Sequence, residues 1–453
     1  MLAETISNLN AVVQVAGIGL VSYGAYALWN VFDNTDNKLC DWRELKSLMG
    51  DGVSLSKNVR LSVKQSNNHI CMIAPCESGK SRRFIMQNVN RLKNCSLIVT
   101  DPSGEIEKAC NPIKKKYILN PFSNNTIGYD PLKNCHSEFE VRKIANVILT
   151  NGMNAYNKNN KNSNQQDWVS MATPLLTSYM LVNYHTKKYT FSDMIQNICT
   201  MNILPVVVEK DKDGKPTKIL RSLQQEILDS GVESAIIEFL SFKQVVGAQE
   251  TLSSIRIVMN SCLQLFLDRS VRKIFEKENI DIAKLRTEES VVYIQIPEHH
   301  ADYFSPLIAT FLTQIFDFML ENDGLETYFL FDEMANNGII NSICKILSTA
   351  RKHNMSIIAA IQSLNQFFTV YGELEGKELI DLFKTIIVCN GLKDSAEYIS
   401  TLLGTKKYKE NDITKTEPLM TPDEVRRLRD NEILVICNNK RPVVDKMMDI
   451  VVG

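Results

Sequence analysis

No Cys-x-x-Cys pair occurs among the eleven cysteines, which are odd in number and scattered from Cys40 to Cys437. That excludes a disulfide framework and a zinc ribbon, and fits a chain kept in a reducing compartment. No two histidines stand four residues apart, so a helical zinc pair is not available. His299 and His300 are adjacent and read as solvated loop residues. No Gly-x-Ser-x-Gly elbow surrounds Ser363 or any other serine. An excess of charge is missing too: 51 Lys and Arg stand against 52 Asp and Glu, a formal net charge of −1. No global field draws the chain to nucleic acid or acidic lipid, so any such contact must be local, for example through loops lining a channel.

Charge is absent altogether between Glu4 and Asp33. Residues 11–32 are mostly apolar or small, and a helix of about 20 such residues crosses the hydrocarbon layer. Gly17, Gly19 and Gly24 are tolerated in spanning helices, and Tyr23, Tyr26 and Trp29 suit an interface belt. Residues 1–10 carry no Lys or Arg, unlike the start of a cleaved signal peptide. The stretch is therefore read as a single-pass membrane helix, with an amphipathic or buried N-terminal helix as the alternative. Lys38, Arg43 and Lys46 follow it, and the positive-inside rule places the long C-terminal part in the cytoplasm.

The 453 residues exceed one ordinary core. From His69 onward the pattern is α/β. Short apolar runs at 69–74, 96–100, 116–119, 291–296, 328–332, 356–361, 385–390 and 432–437 have the composition of strands buried on both faces of a parallel sheet. Residues 151–166 are Asn-rich and nearly patternless. From Trp168 to about Phe275 most segments suit helices, with a polar turn at 209–218. This predicts a helical insertion interrupting the α/β domain. No internal repeat is visible. Trp168 and Phe122 read as packing residues.

Three motifs carry chemistry. Ala74, Pro75, Cys76, Glu77, Ser78, Gly79, Lys80 and Ser81 follow an apolar run and open a helix, which is the context of a phosphate-binding loop. Lys80 would reach the β- and γ-phosphates of ATP, and Ser81 would ligate Mg2+. The first Gly of the usual pattern is Ala74, and Glu77 adds a negative charge to the loop. In the second motif, an apolar run delivers Asp332 and Glu333 to the sheet edge where α/β proteins bind ligands. Asp332 would hold Mg2+ and Glu333 would activate water as a general base. In the third, Gln362 ends another run, where it would orient water or sense the γ-phosphate. Arg351, just before that run, would serve as an arginine finger across a subunit interface, or else as a surface residue.

Further stretches resemble one family. TDPSGE (100–105), DWVSMA (167–172), FLFDEMANNG (329–338), the block 346–367 with Tyr371 and Gly372, EPLMTPDEVRRL (417–428) and NKRPVVDK (439–446) stand in the order found in the coupling proteins of type IV secretion, the TraG-like conjugative DNA-transfer ATPases. In that family Lys is usual where this chain has Ser103, the phosphate loop is usually richer in Gly, and two N-terminal spans are common. The resemblance implies an N-terminal membrane anchor (1–35) and a RecA-like nucleotide-binding domain in two parts (36–150 and 281–453) around an inserted all-alpha domain (151–280). It further implies a homo-hexameric motor that couples ATP hydrolysis to transfer of single-stranded DNA, joined to a relaxase or other protein substrate, through type IV secretion channel proteins at the cell membrane. A nucleotide-binding docking scaffold with little turnover and a septal-type DNA pump are the alternative readings.

Overall fold

The computed structural model describes residues 38–40, 42–159, 166–210, 216–246, 249–410, 413–437 and 440–452. The expected membrane helix lies outside them. In chain order the strands are β1 (Ile70–Ile73), β2 (Cys95–Thr100), β3 (Lys115–Leu119), β4 (Val206–Lys210), β5 (Pro216–Leu220), β6 (Ser290–Ile294), β7 (Glu326–Phe331), β8 (Met355–Ile361), β9 (Thr385–Val388), β10 (Thr405–Glu410), β11 (Ile413–Pro418), β12 (Glu432–Cys437) and β13 (Val443–Lys446). Nine of them form one sheet of order β13-β12-β9-β1-β8-β7-β2-β6-β3. From β9 to β3 every neighbouring pair is parallel. β12 and β13 turn antiparallel at one edge, a departure from the all-parallel expectation.

All eight apolar runs form strands of this sheet. β1, β2, β6, β8 and β9 are buried along their whole length, as continuous apolar runs require. β3 differs because it is an edge strand: Lys115 and Lys116 are exposed on it, and such charges discourage pairing with another chain. One face of the sheet packs on Val53, Leu61, Phe84, Met86 and Val89. The other packs on the helix Ala301–Glu321 and on the helices between β3 and β6. Residues 298–321 are long and apolar enough to cross a membrane, but the most apolar window is 78% buried within the protein, as in a core helix. The C-terminal signature acts as a clasp. The Asp445 carboxylate accepts from the Ser56 hydroxyl and from the backbone N–H and amide of Asn58, which fastens the edge of the sheet to the segment before β1.

The segment between β3 and β6 corrects two expectations, its all-helical content and its start. Within the Asn-rich stretch, residues through Asn159 complete a 22-residue helix, Glu138–Asn159. Tertiary contacts hold it there. Gly152 lies against the Cys262 backbone so closely that a Cβ would approach the Cys262 oxygen to 2.5 Å, and Met153 is buried. On either side of the polar stretch, β4 and β5 pair antiparallel, so the segment is not all helix. The helical part also begins earlier than residue 151, at Glu138, and shares one apolar core with the sheet.

His69 ties the entrance of β1 to its neighbours from a left-handed backbone, φ 61°. Nε2 donates to the Leu347 carbonyl at 2.8 Å and Nδ1 accepts from the Ile357 N–H at 3.0 Å, which fixes one neutral tautomer. Burial, opposed by the bond to Leu347, lowers its pKa from 6.5 to about 4. A base held neutral in the fold contributes its full stability above the unfolded pKa and loses it as pH falls toward the folded one. The stability difference between wild type and His69→Asn, read by urea denaturation, should shrink by about 3 kcal/mol between pH 7 and pH 4. A difference that stays constant with pH would show that the ring is not held neutral.

Candidate functional site

The parallel register converges the three motifs at one edge. β1 lies beside β8, and β8 beside β7, so the segments after Ile73, Ile361 and Phe331 leave the sheet side by side. After β1 the chain forms a loop at 74–79 and then a helix from Lys80 to Arg91, wound as a wide π-turn over Lys80–Ile85 and as an α-helix from Met86. A helix start leaves its first N–H groups without intrahelical partners, which suits an anionic ligand.

The loop meets its backbone demands at unexpected positions. Gly79 sits at φ 84°, where glycine carries no steric penalty. Ala74 is fully buried, and its N–H donates to the Ile361 carbonyl at 2.9 Å. It is not among the residues with positive φ, so no glycine is required there. Besides Gly79, the left-handed residue of the loop is Glu77, at φ 62°, with its side chain exposed.

Lys80 Nζ bonds Glu333 Oε2 at 2.8 Å, with the two side chains 13% and 2% exposed. The Ser81 hydroxyl bonds both Asp332 oxygens at 2.8 Å. The Gln362 amide donates to Glu333 Oε2 at 3.1 Å, and its oxygen accepts from the Cys76 thiol at 3.3 Å. Gln362 is itself placed by Gln366, whose side-chain oxygen accepts from the Gln362 N–H at 2.7 Å. Two polar atoms at the centre, Glu333 Oε1 and Ser78 Oγ, are buried with no hydrogen-bond partner. Buried polar atoms are costly to leave unpaired, and a bound phosphate or water is the kind of group that would satisfy them.

The electrostatics point the same way. Burial acts to lower the Lys80 pKa, but the carboxylates of Glu333, Asp332 and Glu298 outweigh it and hold the ammonium above its usual range. Burial, with Glu333 and Asp101 nearby, pushes Asp332 up to about 6 against the pull of Lys80 and Ser81. One lysine thus faces several carboxylates, a surplus of negative charge that a divalent cation on Ser81 and Asp332 would relieve. The residues present fit such an ion.

The structure therefore brings together the 74–81 loop, Asp332, Glu333 and Gln362. It does not bring Arg351 to them. Arg351 is exposed and precedes β8, whose seven residues separate it from Gln362 by about 23 Å. Three contributors escaped sequence reasoning. Thr100 accepts the Asp332 N–H at 2.9 Å and so aims the acids. Asp101 caps the helix Glu105–Ala109 through the N–H groups of Ile106 and Glu107. Glu298, in the turn after β6, adds to the field on Lys80. Thr100 and Asp101 both stand in the resembling stretch 100–105, where nothing assigns either a role, and no local pattern marks Glu298. His299 and His300 are exposed beside it, as expected of loop residues. Trp168 packs partly buried against the main core, whereas Phe122 is 54% exposed and touches the rings of His300 and Phe304.

Comparison with known proteins bears on the fold and the family. Residues 43–448 match the family described as Type IV secretory system Conjugative DNA transfer. Protein VirD4 of Agrobacterium fabrum is 21% identical over 203 residues, which is 40% of this chain and 30% of that protein. The aligned part is thus under a third of that relative's length. The plasmid coupling protein TrwB, solved in complex with ADP and Mg2+, superposes with a TM-score of 0.72 at 17% identity, over 91% of this chain and 93% of that one. VirB4 of Thermoanaerobacter pseudethanolicus shares the fold more distantly, with a TM-score of 0.55 at 12% identity, over 88% and 97% of the two chains.

The Lys80–Glu333 pair gives a stability test independent of any ligand. Lys80→Ala leaves the Glu333 charge buried and uncompensated, and should cost about 3 kcal/mol in urea denaturation without nucleotide. Lys80→Ala combined with Glu333→Gln should recover most of that loss. Equal destabilisation in the single and double variants would mean that the pair is not coupled in solution.

Proposed function

The chain belongs to the Type IV secretory conjugative DNA-transfer family, and on that premise we propose that it is a membrane-anchored motor ATPase that drives DNA through a type IV secretion apparatus. The observation that carries this reading is the convergence of Lys80, Ser81, Asp332, Glu333 and Gln362 at one sheet edge, around two buried polar atoms without partners. The nucleotide and Mg2+ in the TrwB complex give it support.

Ser81 and Asp332 would hold Mg2+, which when bound neutralises charge on the β- and γ-phosphate oxygens. Lys80 exchanges its partner: it leaves Glu333 Oε2 for a γ-phosphate oxygen. That exchange frees a carboxylate that is otherwise occupied. Glu333, with Oε1 already unpaired, then accepts a proton from the attacking water, and Gln362 orients that water while holding Oε2. The base is thus engaged by the lysine until nucleotide arrives, which suppresses idle turnover. Arg351, on the opposite edge of its own subunit, acts on the nucleotide of a neighbour within a hexameric ring. The segment between β3 and β6 forms an inserted domain that meets the substrate, single-stranded DNA carried with a relaxase or another protein. The N-terminal segment anchors the ring to the membrane at the channel proteins, with the ATPase part in the cytoplasm.

Steady-state ATPase measurements with and without single-stranded DNA test the reading. Glu333→Gln should lower kcat at least about 100-fold while nucleotide still binds, and Lys80→Ala should abolish binding. Wild-type protein that binds nucleotide but does not turn it over, with DNA present and in its assembled form, would instead mark a docking scaffold. Turnover surviving both substitutions would place the site elsewhere.

The pH dependence supplies a second test. Asp332 must be ionised to hold Mg2+, and its pKa is about 6. Mg2+-dependent nucleotide affinity should therefore fall by up to about tenfold per pH unit below that value. Asp332→Asn should bind weakly at every pH and lose this slope. An affinity that is flat from pH 7.5 to 5 in the wild type would remove Asp332 from the metal site.

A further inference from the structure

The segment that leaves Glu333 does not run free to the next helix. Met334–Asn337 form a tight turn, Gly338 takes φ 75°, and Met334 and Ile340 are buried. At Ile339 the segment meets the first helix of the insertion, Glu138–Asn159. The Asn151 side chain grips the Ile339 backbone from both sides. Oδ1 accepts the Ile339 N–H at 2.7 Å, and Nδ2 donates to the Ile339 carbonyl at 3.0 Å. Nδ2 also bonds the Val147 carbonyl at 3.0 Å, so the amide is locked to its own helix. Asn151 is 1% exposed. Gly338 makes the approach possible, since a Cβ there would lie 2.6 Å from Asn151 Oδ1.

Clefts of about 710 Å³ and about 320 Å³, both open to solvent, flank this clamp, and Ile339 and Asn154 line both. The two-point link itself ties the segment to the helix, so that the two shift together. A side-chain amide that copies a backbone pair is also geometrically strict: an aspartate keeps the acceptor and loses the donor, and an alanine loses both.

We propose that Asn151 is a positioning residue that couples the helical insertion to the general base Glu333 through Ile339. The inference rests on the reading of Glu333 as the base of an ATPase. Displacement of the insertion by its substrate moves helix 138–159, and Asn151 carries the movement to the 333–340 segment. Nucleotide at Lys80 acts in reverse, because coupling between two sites is reciprocal in binding free energy.

Two measurements on the full-length protein test this. In ATPase assays Asn151→Ala should lower kcat about tenfold with KM for ATP within about twofold, and Asn151→Asp should fall between it and wild type. In hydrogen–deuterium exchange, adding ATP with Mg2+ should alter protection of residues 142–159 in wild type and not in Asn151→Ala. The exchange arm needs no turnover, so an inactive wild type would refute the ATPase reading while the clamp is still decided. Wild-type kcat and wild-type exchange coupling in Asn151→Ala would overturn the proposal. So would proportionate loss of kcat and of nucleotide affinity in both variants alongside loss of folded signal by circular dichroism, which marks a structural residue only.

Discussion

Asp332 and Glu333 leave the sheet as neighbours, 8% and 2% exposed, and both feel the charge of Lys80. Placing two carboxylates together with so little water is unfavourable unless cations and donors converge on them. The parallel register of β1, β8 and β7 supplies that convergence, since three strand ends open at one edge. Lys80 takes one oxygen of Glu333, Ser81 bridges Asp332, and the Thr100 hydroxyl holds the Asp332 backbone. The compensation is incomplete. On the proposed function, a metal ion at the raised Asp332 and a water at the unpaired Glu333 Oε1 would complete it.

The loop at 74–79 meets its backbone demands without the usual first glycine. Glycine at the first position is needed only where the backbone turns left-handed or the ligand presses against Cα. Here Ala74 is buried, hydrogen-bonded to β8 and outside the left-handed region, so its methyl group joins the core. The left-handed turn falls on Glu77, which stores on the order of 1 kcal/mol of strain. Its carboxylate is exposed, so its repulsion of a phosphate is screened by water.

The insertion and the sheet do not behave as separate bodies joined by a linker. The helix Ala301–Glu321 is buried almost throughout, and residues of the sheet, of this helix and of the insertion belong to one continuous apolar core. Close packing of that kind transmits displacement. Asn151 adds a directional polar contact where the core reaches the segment leaving Glu333. The two features together connect the nucleotide edge with the surface proposed to meet substrate.

By itself the sequence determined the eight main strands, the loop at 74–81 and the acids at 332 and 333. These are local signals: an unbroken apolar run needs burial on both faces, and a Gly-Lys-Ser at a strand end needs a turn into a helix. Tertiary structure alone decided the rest. The antiparallel end of the sheet, the hairpin β4–β5 and the helix through the Asn-rich residues 151–159 depend on partners far along the chain, such as Cys262 beside Gly152 and Ile339 beside Asn151. Thr100, Asp101 and Glu298 reach the site only through strand order, which no local pattern encodes. Arg351 was correctly placed before a strand, but its distance from the loop within one subunit follows from strand direction, because a parallel strand carries its two ends to opposite edges of the sheet.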